Sequence, residues 1–318
     1  MDVENRGKSQ AQLMDDIIKL KKEKGAVILA HYYQQGPIQD IADYTGDSLA
    51  MAQYAATLKD AKIIVVCGVH FMGETAKLLC PDKKVLIPDM EAGCSLADSC
   101  QAEDFENFIK KHPGYTVVSY VNTSVGVKAL TDVLVTSGNA HKIIETLPKD
   151  EKIIFGPDRN LGNYINSVTD RKMILWDGAC HVHEKFSVEK ILELKQAHPK
   201  AKVLVHPECK RPVVLMANKV GSTAALLKYA KESDAKEFIV ATESGILHQM
   251  QKDCPDKTFI PAPPDDAKTC GCNGCNFMKL NTLQKLYDCL KNETPEIEID
   301  PSVAERARKP IERMLALS

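Results

Sequence analysis

The 318-residue chain is 44% hydrophobic and 26% charged, enough to bury a large core and to form about two or three units of ordinary domain size. A formal net charge of -2 and a pI near 6.5 exclude a broad nucleic-acid or acidic-membrane surface, so small molecules are the expected partners. No run reaches the roughly 18 to 20 apolar residues that span a bilayer, and the polar start MDVENRGKSQ has no apolar signal core, so a cytoplasmic chain with no membrane contact is expected.

Taken in order, Leu13, Ile17 and Leu20 mark an amphipathic helix from Gln12 that Gly25 ends. AVILAHYY reads as a buried strand closed by the QQGP turn, and GDSLAMAQYAATL as a helix opened by Asp47 and Ser48, both good N-caps. KIIVVCGV is a second strand, the stretch after Phe71 a second helix, and KVLIPDM a third strand running into the loop EAGCS. Alternation of this kind predicts parallel sheets covered by helices on both faces. The lysines Lys19, Lys21, Lys22 and Lys24 read as a solvated helix face.

The same order recurs twice more, at intervals of roughly 85 to 95 residues. Helices at 102–111 and 188–197 precede strands ending S-Y-V-N and V-H-P-E, so that His31, Tyr120 and His206 correspond. The next helices start at G-D-S, T-S-G and G-S-T, aligning Ser48, Ser137 and Ser222; a further strand ends at Gly68, Gly156 and Thr242. The last strand of each copy leads to a cysteine: Cys94, Cys180 and Cys275. This predicts an α/β fold of three pseudo-threefold-related α/β/α domains with short parallel sheets: residues 1–94, 95–180 and 181–276. The helix around Leu283, Leu286, Tyr287 and Leu290 starts a fourth copy, so that 277–318 packs back on the first domain and closes a ring. A last surface helix runs from Ser302, with Pro310 near its first turn or at a kink.

Strand carboxyl ends carry the site in parallel α/β units, so three such ends place the three cysteines on one axis. Eleven cysteines in a reducing compartment favour metal ligation or catalysis for those that cluster. Cys67 and Cys289, by contrast, read as small core residues. Three thiolates suit a [4Fe-4S] cluster with one iron free to act as a Lewis acid, an arrangement fitted to dehydration. Zinc on Cys270, Cys272 and Cys275 in the stretch T-C-G-C-N-G-C is the metal alternative, although C-x-C-x-x-C is unusual zinc spacing.

Around that axis, Ser48, Ser137, Ser222 and Thr223 offer helix N-termini and hydroxyls for carboxylates or a phosphate. His31, Tyr33, Tyr120, Asn122, His206 and Glu208 supply donors and a general acid or base, with His206 and Glu208 sharing a face. His181 and His183 flank the Cys180 loop as supporting partners or as loop packing. Cys209 breaks the repeat and ranks below Cys180. No G-x-G-x-x-G follows a strand and no Walker loop is present, which leaves dinucleotide and nucleoside-triphosphate chemistry without support.

The set A-H-Y-Y, G-D-S, Y-V-N, T-S, G-P-D-R-N-L-G, G-A-C-x-V-H, H-P-E-C, G-S-T and the final cysteine before F-M-x-x-N is spread over all three repeats. It resembles the quinolinate synthase family of NAD biosynthesis along the whole chain. The resemblance implies a [4Fe-4S] cluster on Cys94, Cys180 and Cys275. It also implies condensation of iminoaspartate with dihydroxyacetone phosphate to quinolinate, releasing phosphate and two waters. His31, Ser48, Tyr120, Asn122, Ser137, His206, Glu208 and Thr223 would contact substrate, and Tyr33, His206 and Glu208 would be catalytic. L-Aspartate oxidase as a source of the imine, and the iron-sulfur assembly machinery, are the implied partners. Many members carry C-x-x-C-x-x-C where this chain has C-x-C-x-x-C, which puts a disulfide between the first two thiols in doubt. A non-catalytic iron-sulfur carrier and a zinc-dependent lyase remain the rival readings.

Overall fold

A computed structural model describes residues 8–265 and 273–318; Thr269, Cys270 and Cys272 therefore lie outside the described residues. Each third of the chain builds one four-stranded, all-parallel sheet flanked by helices. The first holds β1 (Ala26–His31), β2 (Tyr44–Gly46), β3 (Ile63–Cys67) and β4 (Lys84–Leu86); the second β5 (Thr116–Tyr120), β6 (Val133–Val135), β7 (Ile153–Gly156) and β8 (Ile174–Leu175); the third β9 (Lys202–Val205), β10 (Lys219–Val220), β11 (Glu237–Ala241) and β12 (Thr258–Pro261). All three run in the order second, first, third, fourth. Central strands such as β3 (IIVVC) are buried at every residue, as a sheet covered on both faces requires.

The edge strands β2, β6 and β10 are absent from the sequence reading, and their attachment explains why. They are two or three residues long and follow short helical turns at Gly36–Ile41, Val125–Lys128 and Arg211–Val214. The residue before each strand grips the first strand of its sheet with its side chain: Asp43, Asp132 and Asn218 accept the N–H groups of Ile28, Val117 and Val203, each at 2.8 Å. A side-chain bond of that kind substitutes for hydrophobic length.

Strand pairing also moves two of the expected repeat equivalences by one residue. Ala30, Ser119 and Val205 lie opposite Cys67, Gly156 and Ala241, not Gly68 and Thr242 in the first and third copies. His31 and Tyr120 lie opposite Gly46 and Val135, and β9 pairs with β10 so that Gly221 follows the pair Val205 and Val220. Thr223, rather than Ser222, is then the partner of Ser48 and Ser137.

The N-terminal helix is Gln10–Lys24, starting earlier than Gln12 because Ser9 and Gln12 form a capping box, and ending on Gly25 at φ 60°. Its Ile17 packs with Leu286, Cys289 and Leu290 of helix Leu283–Asn292 in a cluster shared with Cys67. Two of its lysines are tied rather than free in solvent. Lys21 bonds Asp43 at 2.9 Å, and Lys24 bonds Glu293 at 2.7 Å. The final helix, Pro301–Leu317, continues past Pro310, which is interior and buried. It lies between the first two sheets: Arg308 donates to the Leu78 carbonyl, while Ala307, Ile311 and Met314 join the core that holds Val133 to Val135. Among the described residues no helix is long and apolar enough to cross a membrane.

Candidate functional site

The three sheets aim their carboxyl ends at one cavity. His31, Tyr120 and His206 line it from the ends of β1, β5 and β9, with Tyr33, Asn122 and Glu208 two residues further on. Ser48, Ser137 and Thr223 enter after the edge strands, and Cys94, Cys180 and Cys275 from the loops after β4, β8 and β12. Every residue that the repeats and the resemblance singled out for the site is thus at this cavity, apart from Ser222.

The expectation of three equivalent helix starts at Ser48, Ser137 and Ser222 needs correction. Ser48 and Thr223 are the first residues of helices Ser48–Thr57 and Thr223–Glu232, whose N-caps Asp47 and Ser222 accept the N–H groups of Ala50 and Ala225. Ser222 is spent on that bond. In the second repeat the helix begins only at Ala140, because Asn139 turns its Oδ1 back onto the Thr136 N–H at 2.6 Å; Ser137 therefore sits in a turn. Two helix starts and three hydroxyls remain as anion-binding equipment. Among the described residues the lining contains neither Lys nor Arg, so an anion placed there would meet neutral donors.

Glu208 is the centre of the polar network. Its Oε2 lies 2.9 Å from His183 Nδ1 and 3.2 Å from His206 Nδ1, and the two rings stack at 4.6 Å. Burial opposes ionisation, but the facing imidazoles of His183 and His206, hydrogen-bonded to Oε2, outweigh it and hold the carboxyl well below the usual range. A carboxylate only accepts, so His183 donates from Nδ1 and accepts at Nε2. The donor to Nε2 is Thr242, at 3.0 Å; Thr242 in turn accepts from Tyr33 Oη at 2.7 Å, and Tyr33 accepts from Thr223 at 2.9 Å. A continuous chain therefore joins Tyr33 to Glu208 through Thr242 and His183. Glu208 Oε1 and Asn122 Oδ1 have no partner among the described residues although both are buried, so each is an acceptor free for a ligand.

His206 Nε2 meets Ser137 Oγ at 3.2 Å. His31 Nδ1 accepts the Tyr33 N–H at 3.1 Å, which leaves its proton on Nε2. Burial first, then the charges of His206 and Lys279, push His31 down to about 3, so it is a neutral donor at physiological pH. His183 and Thr242 were the residues least visible in the sequence. His183 stood as an alternative to loop packing, and Thr242 only as the end of a strand.

Nine of the chain's cysteines are described, and they divide cleanly. Cys67, Cys80, Cys100, Cys209, Cys254 and Cys289 are buried, whereas Cys94, Cys180 and Cys275 are partly open to the cavity. Cys209 packs in the third-sheet core with its sulfur toward the Ala241 carbonyl. The three cavity thiols are treated alike: each accepts the N–H of the residue three positions on, Ala97, His183 and Met278. Burial is the main effect on all three and raises them, Cys94 to about 12, so they are neutral thiols that would shed protons on ligating a metal. Three inward thiols with a hydrogen bond to each sulfur fit a three-cysteine cluster. A second donor group overlaps them: Cys180, His183 and Glu208 bring one ligand atom each within 4.8 Å of one another.

Fold and cavity together define a class first: a triplicated α/β protein with a small-molecule site, rich in thiols and hydroxyls, on its pseudo-threefold axis. Comparison with known proteins narrows it. The family described as NadA, quinolinate synthetase A protein, matches residues 15–316. Among similar proteins, the quinolinate synthase of Nostoc punctiforme is 56% identical over 312 residues, covering 98% of this chain and 95% of that protein. Those of Synechococcus sp. and Chloroherpeton thalassium are each 55% identical, over 308 and 310 residues, covering 97% and 98% of this chain and 96% of each relative. The chain belongs to the quinolinate synthetase A family.

Proposed function

We propose that this chain is a quinolinate synthase of NAD biosynthesis, condensing iminoaspartate with dihydroxyacetone phosphate and releasing phosphate and two waters. The observation that carries the reading is the convergence, in a member of this family, of three equivalent thiols and an unpartnered Glu208 oxygen on one cavity. Cys94, Cys180 and Cys275 would hold a [4Fe-4S] cluster, whose uncapped iron supplies Lewis acidity for removing hydroxyl groups.

The rest is the work of the chain's own groups. The helix starts at Ser48 and Thr223, with the Ser137 hydroxyl and the neutral His31, would hold the carboxylates and the phosphate by N–H and O–H donation. Asn122 would accept from, and Tyr120 donate to, a polar group of the substrate. Glu208 Oε1 would take a proton from the carbon or nitrogen that loses it, helped by His206. Tyr33 would give a proton to a leaving oxygen, and its reprotonation through Thr242 and His183 from Glu208 would require those hydrogen bonds to reverse. The three repeats, residues 1–94, 95–180 and 181–276, would each contribute one wall, with 277–318 as the closing segment. An imine-producing L-aspartate oxidase and iron-sulfur assembly proteins would be its functional partners in the cytoplasm.

The test is anaerobic reconstitution followed by quinolinate measurement with imine generated in place, using Cys180→Ser as control. Wild type alone should form product, and Cys180→Ser should lose iron, sulfide and activity together; a variant that kept cluster and turnover would remove this ligand set. A second reading rests on the Cys180, His183 and Glu208 donors: a single zinc-like ion with an open position. It predicts a colourless active protein with one metal per chain, whereas the cluster predicts a brown one with about four irons.

A further inference from the structure

The loops that bring the three cysteines to the axis are fastened by a repeated backbone bond. The N–H groups of His70, Arg159 and Ser244 donate to the carbonyls of Ala92, Gly178 and Asn273 at 2.7, 2.8 and 3.3 Å, and each acceptor stands two residues before a cavity cysteine. The strand register makes the residues just before these donors equivalent as well: Val69, Asp158 and Glu243. Here the symmetry breaks. Asp158 Oδ2 accepts the Cys180 N–H at 3.2 Å and Glu243 Oε1 accepts the Cys275 N–H at 3.0 Å, while Val69 has nothing to offer Cys94.

We propose that Asp158 and Glu243 are positioning residues that fasten the Cys180 and Cys275 loops by those cysteines' own N–H groups and so set where the two thiols enter the cavity. The inference rests on the cluster reading above for its consequence, but not for its geometry. Both side chains are 0% exposed, which makes them strange as surface acids and sensible as internal ties. A carboxylate accepts several bonds at once, so one group can join two segments. Asp158 Oδ1 also takes the Leu161 N–H at 2.7 Å, linking the start of helix Arg159–Thr169 to the Cys180 loop. Glu243 Oε2 takes the Gly245 N–H at 2.6 Å, and its Oε1 also meets Lys279 at 3.2 Å. Lys279 donates to the Tyr33 carbonyl at 2.6 Å as well, so the third cysteine loop is tied across to the first repeat.

The first repeat needs no such tie because its cysteine is itself the N-cap of helix Ser95–Asp98, so regular helical structure begins at once. In the other two repeats the ordered turns start only at His183 and Met278, three residues after the thiol. Close approach completes the fastening at Cys180. A Cβ on Gly178 would lie 2.5 Å from the Pro157 carbonyl oxygen, so the loop lies directly on the chain beside Asp158.

The test reads each loop separately in the cluster-free protein by hydrogen-deuterium exchange, then iron and sulfide after reconstitution. Asp158→Ser keeps a helix cap but is too short to reach Cys180, and Glu243→Met keeps length but no acceptor. Asp158→Ser should speed exchange of the Cys180 N–H about tenfold or more while that of Cys275 stays at the wild-type rate; Glu243→Met should do the reverse. The Cys94 N–H should be unchanged in both, and cluster content should fall to less than half of wild type. Glu243→Gln, which keeps one acceptor, should lie between. Unchanged exchange at the cognate cysteine, equal loosening of both loops, or full cluster content in both variants would overturn the proposal. If either variant fails to fold, the milder Asp158→Asn and Glu243→Gln carry the same cross-specific comparison. A wild type that takes up no cluster would sink the functional reading, yet leave the exchange result to judge the ties.

Discussion

His31 and His206 occupy equivalent strand ends, and their surroundings make them chemically different. His31 is followed two residues on by Tyr33, has no carboxylate partner, and is held neutral by burial and by cationic neighbours. His206 is followed by Glu208, stacks on His183 and touches Ser137. One backbone position has become a neutral hydrogen-bond donor in the first repeat and part of a carboxylate–imidazole cluster in the third. Triplication supplies the place, and the residue two positions on decides the chemistry.

The comparison can be broken most severely at Glu208. Glu208→Gln removes the charge that distinguishes the third repeat and should lower kcat by about 10² to 10⁴ with the cluster retained; full turnover would deny Glu208 its assigned role. Next is Tyr33→Phe, which deletes the hydroxyl joining Thr223 to Thr242. Turnover should fall by roughly 10²-fold, and stability by about 1–3 kcal/mol because two buried hydroxyls lose a partner. Rapid-mixing kinetics and thermal denaturation would check the two effects.

A pH titration sharpens the contrast. The folded-state pKa of His31 is depressed to about 3 from 6.5, so the unfolded chain binds the proton first. Stability due to its neutral form is complete above about 6.5 and lost as pH falls toward 3. Replacing His31 by Asn should flatten the acid limb of a stability-against-pH curve by up to about 1.4 kcal/mol per pH unit in that window; an unchanged slope would contradict a buried neutral ring. The smallest effect is expected from Ser137→Ala, which removes the 3.2 Å contact to His206 Nε2 and a hydrogen bond to Tyr120. A severalfold rise in KM, worth about 1 kcal/mol, with kcat nearly unchanged is the expected result.

Much of this was legible in residue order. Apolar runs such as KIIVVCGV between helical periods specify buried parallel strands, and polar residues recurring at a fixed interval specify where the strand ends lie. His31, Tyr120 and His206, with Tyr33, Asn122 and Glu208, could be placed on one axis from that recurrence alone. Short edge strands escaped because β2, β6 and β10 have too few residues for periodicity and are held by the side chains of Asp43, Asp132 and Asn218 instead. For the same reason the alignment of Ser222 with Ser48 was one residue out: only strand pairing shows that Thr223 is the equivalent residue and that Ser222 is used as a cap.

The sequence by itself therefore determined the class of fold, the threefold plan and the identity of the cavity's main side chains, because those depend on hydrophobic period and on position along a strand. Tertiary structure alone decided which buried acids hold which loops, that His183 and Thr242 connect Tyr33 to Glu208, and that His31 stays neutral. Those outcomes depend on distances of about 3 Å between residues tens to hundreds of positions apart, and on how completely water is removed from around them.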